Sequence, residues 1–83
     1  MTDFKIGVVT HYFDRIGVAV VDLVGDLASG EKIRLGSPGF TQTVSSIQIE
    51  HEKVESAKKG QSIGLKVDQP TQKGDEVFRL GDV

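Results

Sequence analysis

Cysteine is absent from this chain of 83 residues, so neither disulfide bonds nor thiolate metal sites can stabilise it. No apolar run approaches the roughly 20 residues that a membrane-spanning helix needs. The opening MTDFKI lacks the basic segment and long apolar run of a signal peptide. These absences predict a soluble cytoplasmic domain held together by hydrophobic packing and sheet hydrogen bonds alone.

An excess of basic residues is also lacking, because 10 Lys and Arg stand against 12 Asp and Glu, for a net charge of −2. Proteins that bind nucleic acid mainly by neutralising phosphates usually carry a basic excess. The composition therefore disfavours non-specific binding of RNA or DNA, although it does not exclude a local basic patch.

Motifs for catalysis or cofactor binding are missing as well. Residues 25–30 have the glycine spacing of a phosphate-binding loop, but Glu31 and Lys32 follow where that loop requires Lys and then Ser or Thr. There is no G-x-S-x-G nucleophile motif, and His11 and His51 belong to no zinc-type cluster in the sequence. We therefore expect a protein that is not an enzyme and uses no metal, nucleotide or other cofactor.

Glycine and β-branched residues dominate what is present. Ten glycines, many β-branched residues and few helix-period stretches predict one all-β domain over residues 1–83. The predicted strands are residues 5–13, 18–24, 31–35, 41–50, 61–67 and 76–80. About six short strands with no intervening helix predict a small closed or nearly closed antiparallel β-barrel, since closure removes exposed sheet edges.

Three details of this barrel follow from local pattern. The apolar positions of residues 41–50 change phase between Val44 and Ile47, which predicts a β-bulge. Residues 51–59 are too few for a stable free helix, so we expect an ordered loop in which Val54 and Ala57 plug the barrel end. Gly64 inside a strand indicates a close backbone approach or a bend.

Nucleic-acid binding would rest on five lysines and three loop aromatics, which are Lys53, Lys58, Lys59, Lys66, Lys73, Tyr12, Phe13 and Phe40. The excursion at residues 50–59 holds as many acids as lysines, so a solvated charged loop is the favoured interpretation. A barrel rim can nevertheless bind a single-stranded end with little net charge, through backbone groups and one stacking platform.

A longer pattern runs through residues 45–67. S-I-Q at residues 46–48 precedes a charged stretch and then A-K-K-G-Q-S-I-G-L at residues 57–65, with L-A-S-G-E-K-I at 27–33 upstream and K-G-D-E-V at 73–77 downstream. In this order the segments resemble the second domain of translational GTPases, the β-barrel shared by elongation factor Tu and bacterial initiation factor two. The opening IGVVTHYFDRIGVAVV at residues 6–21 is also similar to the barrel appended to the C-terminus of U32-family peptidases and to small stand-alone translation-factor-like proteins.

The first resemblance implies a non-catalytic binding module, because in translational GTPases this barrel helps to hold the aminoacyl end of a tRNA. The partner would be a tRNA or another RNA end, or a translation-related protein. The implied rim residues, together with the adjacent lysines, are Gln48, His51, Lys58, Lys59, Gly60, Gln61 and Ser62. The U32 resemblance implies an alternative, an accessory domain that docks onto a U32-like peptidase or an RNA-modification enzyme.

Overall fold

Ten β-strands make up the computed structural model, which describes residues 4–36, 39–50 and 52–80. They are β1 (Phe4–Phe13), β2 (Val18–Leu23), β3 (Leu27–Ala28), β4 (Lys32–Leu35), β5 (Phe40–Thr43), β6 (Ile47–Ile49), β7 (Glu52–Val54), β8 (Ser56–Ala57), β9 (Ser62–Lys66) and β10 (Glu76–Arg79). Eight of them form one antiparallel sheet in the order β5-β4-β10-β1-β2-β9-β6-β7, and β3 pairs with β8 in a separate two-stranded sheet. The all-β class is confirmed.

Apolar and polar residues alternate along the strands, and the apolar ones form the core on the inner face of the curled sheet. In β9, Ile63 and Leu65 are buried while Ser62 and Lys66 are exposed, as expected for a strand covered on one side. The nearly all-apolar β2 lies between β1 and β9, the central position that its composition predicts. The buried apolar core consists of Ile6, Val9, Ala19, Val21, Leu23, Leu27, Ile33, Leu35, Val44, Ile47, Ala57, Ile63, Leu65, Val67 and Val77.

The expected closed or nearly closed barrel of about six strands is not found: the described strands form a curled antiparallel half-barrel of eight strands. The predicted long strand at residues 41–50 is in fact two strands, the edge strand β5 and the strand β6, which lies next to the opposite edge strand β7. Val44 separates them, because its N–H donates to the Glu31 carbonyl and its own carbonyl accepts from the Gly30 N–H, both at 2.8 Å. A crossing from one side of the sheet to the other, rather than a bulge, therefore explains the change of phase.

The expected loop at residues 51–59 is also wrong, because the described part of it contains β7 and β8. Val54 pairs with Ile47 and is only half-buried against the core. Ala57 is buried and pairs with Leu27 in the two-stranded sheet. Ala57 is therefore buried, but it lies in a short strand paired with Leu27 rather than in a loop.

A buried glutamine bridges β5 and the end of β9. Gln42 Nε2 donates to the Lys66 carbonyl, and Gln42 Oε1 accepts from the Asp68 N–H, each at 2.7 Å. β5 has no sheet partner besides β4 among the described strands, so this side-chain amide makes the link that a neighbouring strand would otherwise make.

Substituting Gly7 tests how closely β1 and β2 approach. A Cβ at Gly7 would lie 2.5 Å from Val21 Cγ1 and 3.0 Å from the Asp22 carbonyl oxygen, and Val21 is fully buried. We expect Gly7→Ala to lower the free energy of unfolding by about 1–3 kcal/mol, because the neighbours cannot move aside. Urea denaturation measures the loss.

Gly64→Ala is the matched control for this substitution. A Cβ at Gly64 would make only ordinary contacts, 3.5 Å to Val18 Cγ1 and 3.8 Å to Gln48 Cβ, so the expected close approach at Gly64 is not found. We expect the free energy of unfolding of Gly64→Ala to equal or exceed that of the parent. Equal stability of the two variants would contradict the steric argument at Gly7.

Candidate functional site

Four of the predicted rim residues, Lys58, Lys59, Gly60 and Gln61, form the turn that enters β9. Gly60 has φ of 93°, which favours glycine, and its N–H donates to the Leu23 carbonyl at 2.9 Å. Gln61 Oε1 accepts from the Lys58 N–H at 2.8 Å. The Gln61 side chain and Gly60 therefore build the turn.

Lys58 and Lys59 project from this turn as exposed cations. The backbone N–H of Lys59 donates to Asp26 Oδ1 at 3.1 Å, which places a carboxylate at the backbone of the turn. The turn thus presents two exposed lysines with one acid at its base. The negative charge of that acid reduces the attraction of the turn for phosphate.

Gln48 and Ser62 lie on the outer face of the sheet instead. Gln48 pairs with Gly64 of β9, and Ser62 Oγ donates a hydrogen bond to the Asp22 carboxylate on β2. His51 lies outside the described residues. The predicted rim is therefore two features, a turn at residues 58–61 and a part of the outer face.

A groove on this outer face contains both Gln48 and Ser62. It has a volume of ≈ 280 Å³, and we call it the outer groove. Its lining residues are Phe13, Ile16, Val18, Val20, Gln48, Glu50, Ser62, Ile63 and Gly64. The pairing of strands explains the set, because Gly64 lies between Val20 of β2 and Gln48 of β6.

Exposed apolar side chains border the groove. Phe13 is 45% exposed and Ile16 is 58% exposed, and both are at the β1–β2 turn. Lys66 Nζ donates to the Ile16 carbonyl at 2.8 Å, which ties this turn to β9. A second concavity of ≈ 370 Å³ lies on residues 11–16, so Phe13 and Ile16 form a ridge between two hollows. Exposed apolar side chains that lie next to each other in this way are candidates for contact with a partner.

The sequence singled out Phe13 only as an aromatic candidate for nucleic-acid binding, and the ridge with Ile16 and most of the groove were not predicted. The sequence of β2 does carry a sign of the groove. Ala19 and Val21 are the buried residues of this strand, yet Val18 and Val20, which alternate with them and face outward, are also apolar. A strand that is apolar on both faces is either covered twice or leaves one apolar face exposed. Among the described residues no element covers the outer face of β2, so Val18 and Val20 remain partly exposed.

The described residues offer neither a metal-binding cluster nor a membrane-spanning helix. Within residues 4–36, 39–50 and 52–80, no three His, Asp or Glu side chains are grouped so as to hold a metal ion. In the same described residues, no helix is long and apolar enough to cross a bilayer. The cytoplasmic location stays a prediction.

Comparison with known proteins relates the chain to longer ones. A Methanocaldococcus jannaschii protein named an uncharacterized protease is 34% identical in an alignment of 79 residues, and the match covers 92% of this chain and 19% of that protein. A collagenase of Porphyromonas gingivalis is 34% identical in an alignment of 73 residues, and the match covers 83% of this chain and 20% of that protein. The chain thus spans about one fifth of the length of these relatives. No family model matches it.

A solved structure decides the fold. The C-terminal domain of a Geobacillus thermoleovorans U32 peptidase superposes with a TM-score of 0.85 at 23% identity, over 95% of this chain and 93% of that domain. The fold is that of a U32 peptidase C-terminal domain. The selenomethionine variant of that domain superposes with a TM-score of 0.82. The U32 part of the sequence resemblance is supported, whereas the translation-factor part receives no support from these comparisons.

Proposed function

We propose that this chain is a non-catalytic accessory domain of a U32-type protein, and that it docks onto the catalytic part of that protein. The observation that carries the proposal is the extent of the similarity. It covers nearly the whole of this chain but only 19–20% of the relatives named protease and collagenase. A segment of that size, with the fold of a domain crystallised on its own, is a module that serves a larger protein.

The ridge and outer groove support a docking role. The apolar side chains of Phe13 and Ile16 keep about half of their surface in water, so covering them would stabilise a complex. Against a protein surface, Phe13 and Ile16 would be buried at the centre of an interface, where aromatic and aliphatic anchors carry most of the binding energy.

Binding of a tRNA or another RNA end is a second proposal, carried by the adjacent exposed cations Lys58 and Lys59. The same turn contains Gln61, one of the residues that the translation-factor resemblance implies. Against it stands Asp26 beside the turn and the overall net charge of −2. We therefore rank protein docking first.

Co-expression tests the docking proposal. The tagged chain and the U32-type protein encoded in the same genome are produced together and purified on the tag. We expect a stoichiometric complex, which Ile16→Ser weakens by about tenfold or more because a central apolar contact is lost. Val24→Ser removes a comparably exposed aliphatic side chain outside the groove and should leave the complex intact.

Two results would count against the proposal. If no complex forms at micromolar concentration, the chain is not a docking module for that protein. If the purified chain instead carries tRNA that is lost on mutating Lys58 and Lys59 together to glutamine, RNA binding is the better account.

A further inference from the structure

We propose that the outer groove binds a protein segment in which an apolar side chain lies next to a basic one. The partner's identity rests on the proposed function, but the chemistry of the segment rests on the groove itself. Three properties of the groove carry this inference: its floor, its size and the sign of its charge.

The floor of the groove is Gly64. A Cβ there would make ordinary contacts, 3.5 Å to Val18 Cγ1 and 3.8 Å to Gln48 Cβ, so packing does not require glycine. Its backbone also lies in the middle of β9 and is paired on both sides, where glycine is less favourable than almost any other residue. Glycine therefore lowers the stability of the strand at this position. The missing side chain leaves a notch between Val18 and Gln48.

The size of the groove suits one or two side chains of a peptide. At ≈ 280 Å³ it falls just below the roughly 300–1,000 Å³ of typical small-molecule and cofactor sites. Phe13, Ile16, Val18 and Val20 make one end apolar. An aliphatic or aromatic side chain of an extended peptide matches this shape and polarity better than a cofactor does.

The other end of the groove is acidic. Glu50 lines it, and Ser62 holds the Asp22 carboxylate beside it. The nearby amines lie away from this end, because Lys66 donates to the Ile16 carbonyl at the apolar end, at 2.8 Å, and Lys53 lies on the next strand, opposite Gln48. Two carboxylates repel a phosphate and attract a guanidinium or ammonium group, so this end selects a basic residue and disfavours an RNA backbone.

A peptide titration followed by NMR tests the inference on the intact, isotope-labelled chain. The probe is the acetylated peptide amide Gly-Arg-Leu-Gly, and the comparison peptides replace Arg by Glu or Leu by Ala. We expect saturable shifts at the amides of Val20, Gln48 and Gly64, with a Kd on the order of 1 mM, as for a single anchoring side chain. Each comparison peptide should bind about fivefold more weakly or worse, because it lacks one of the two contacts.

Variants separate groove binding from folding. Gly64→Val fills the notch, so we expect at least a tenfold loss of peptide affinity. Its melting temperature should be at or above that of the parent, since valine favours strands. Glu50→Gln should reduce the preference for Arg over Glu, whereas Asp68→Asn, an exposed acid away from the groove, should not.

Any of four results would overturn the inference. Three concern the peptides: equal affinity for the Arg and Glu peptides, NMR shifts at amides outside the groove, or unchanged peptide binding by Gly64→Val. The fourth is a single-stranded oligonucleotide that shifts the groove amides when the peptide does not. This chain carries its own basic–apolar pair at Arg15 and Ile16, so concentration-dependent dimers that Gly64→Val abolishes, without peptide binding, would point to a second copy as the occupant.

The two proposals fail separately. If the peptide binds in the groove but no complex with the U32-type protein forms, only the proposed function is contradicted. If the complex forms equally well with Gly64→Val, only the role of the groove is contradicted.

Discussion

Leu27→Ala is expected to lower the free energy of unfolding by about 2–5 kcal/mol, the range found for truncating a buried leucine. Leu27 is only 1% exposed and belongs to the core, although it lies in a strand of two residues. Its partner Ala57 is too small to fill the cavity that the substitution leaves. A domain of this size is only marginally stable, so most of its stability would be lost.

Chemical denaturation with guanidinium chloride measures this effect, and Val24→Ala is the matched control. Val24 is 49% exposed and close in sequence, so its truncation should change the free energy of unfolding by no more than about 0.5 kcal/mol. If Leu27→Ala proves as mild as Val24→Ala, the two-stranded sheet is not part of the cooperative core.

Gln42→Leu is expected to cost about 2–4 kcal/mol. The substitution leaves the Lys66 carbonyl and the Asp68 N–H without the partners that they now have at 2.7 Å. Both hydrogen bonds are partly buried, and a buried group that loses its partner costs about 1–3 kcal/mol, so the two losses together reach the lower part of twice that range. Gln42→Glu should be at least as harmful, because a carboxylate has no proton to donate to the Lys66 carbonyl.

Urea denaturation of these variants is compared with that of Thr43→Val, which changes an exposed side chain of the same strand. That control should stay within about 0.5 kcal/mol of the parent. A Gln42→Leu protein as stable as the parent would show that the link between β5 and the end of β9 is dispensable for the half-barrel.

Much of the fold could be predicted from alternation. Ile33 and Leu35 in β4, and Ile63 and Leu65 in β9, are buried as the period of two requires. The turn at Gly60 could be predicted because a positive φ suits glycine. The path of residues 44–46 could not be predicted, because the same apolar pattern fits either a bulge or a crossing between strands. The hydrogen bonds of Val44 to Gly30 and Glu31 decide between them, and they join residues distant in sequence.

The candidate site was predictable only in fragments. The resemblance singled out Gln48 and Ser62, which the structure brings to one groove. It also singled out Gly60 and Gln61, which instead build the turn into β9. The ridge at Phe13 and Ile16 was not predicted, because whether an apolar side chain is covered depends on which element packs over it.

The sequence by itself determined the class of the protein: an all-β domain without cysteine, whose inward residues alternate along each strand. That is local information, since a period of two and a turn glycine act within a few residues. Only the tertiary structure decided that the sheet stays open, that Gln42 bridges its gap, and that Gly64 leaves a notch beside Val18. These three features arise where segments 20 or more residues apart in sequence come into contact, as Gln42 and Lys66 do. The alternation of residues along a strand does not specify which distant segments will meet.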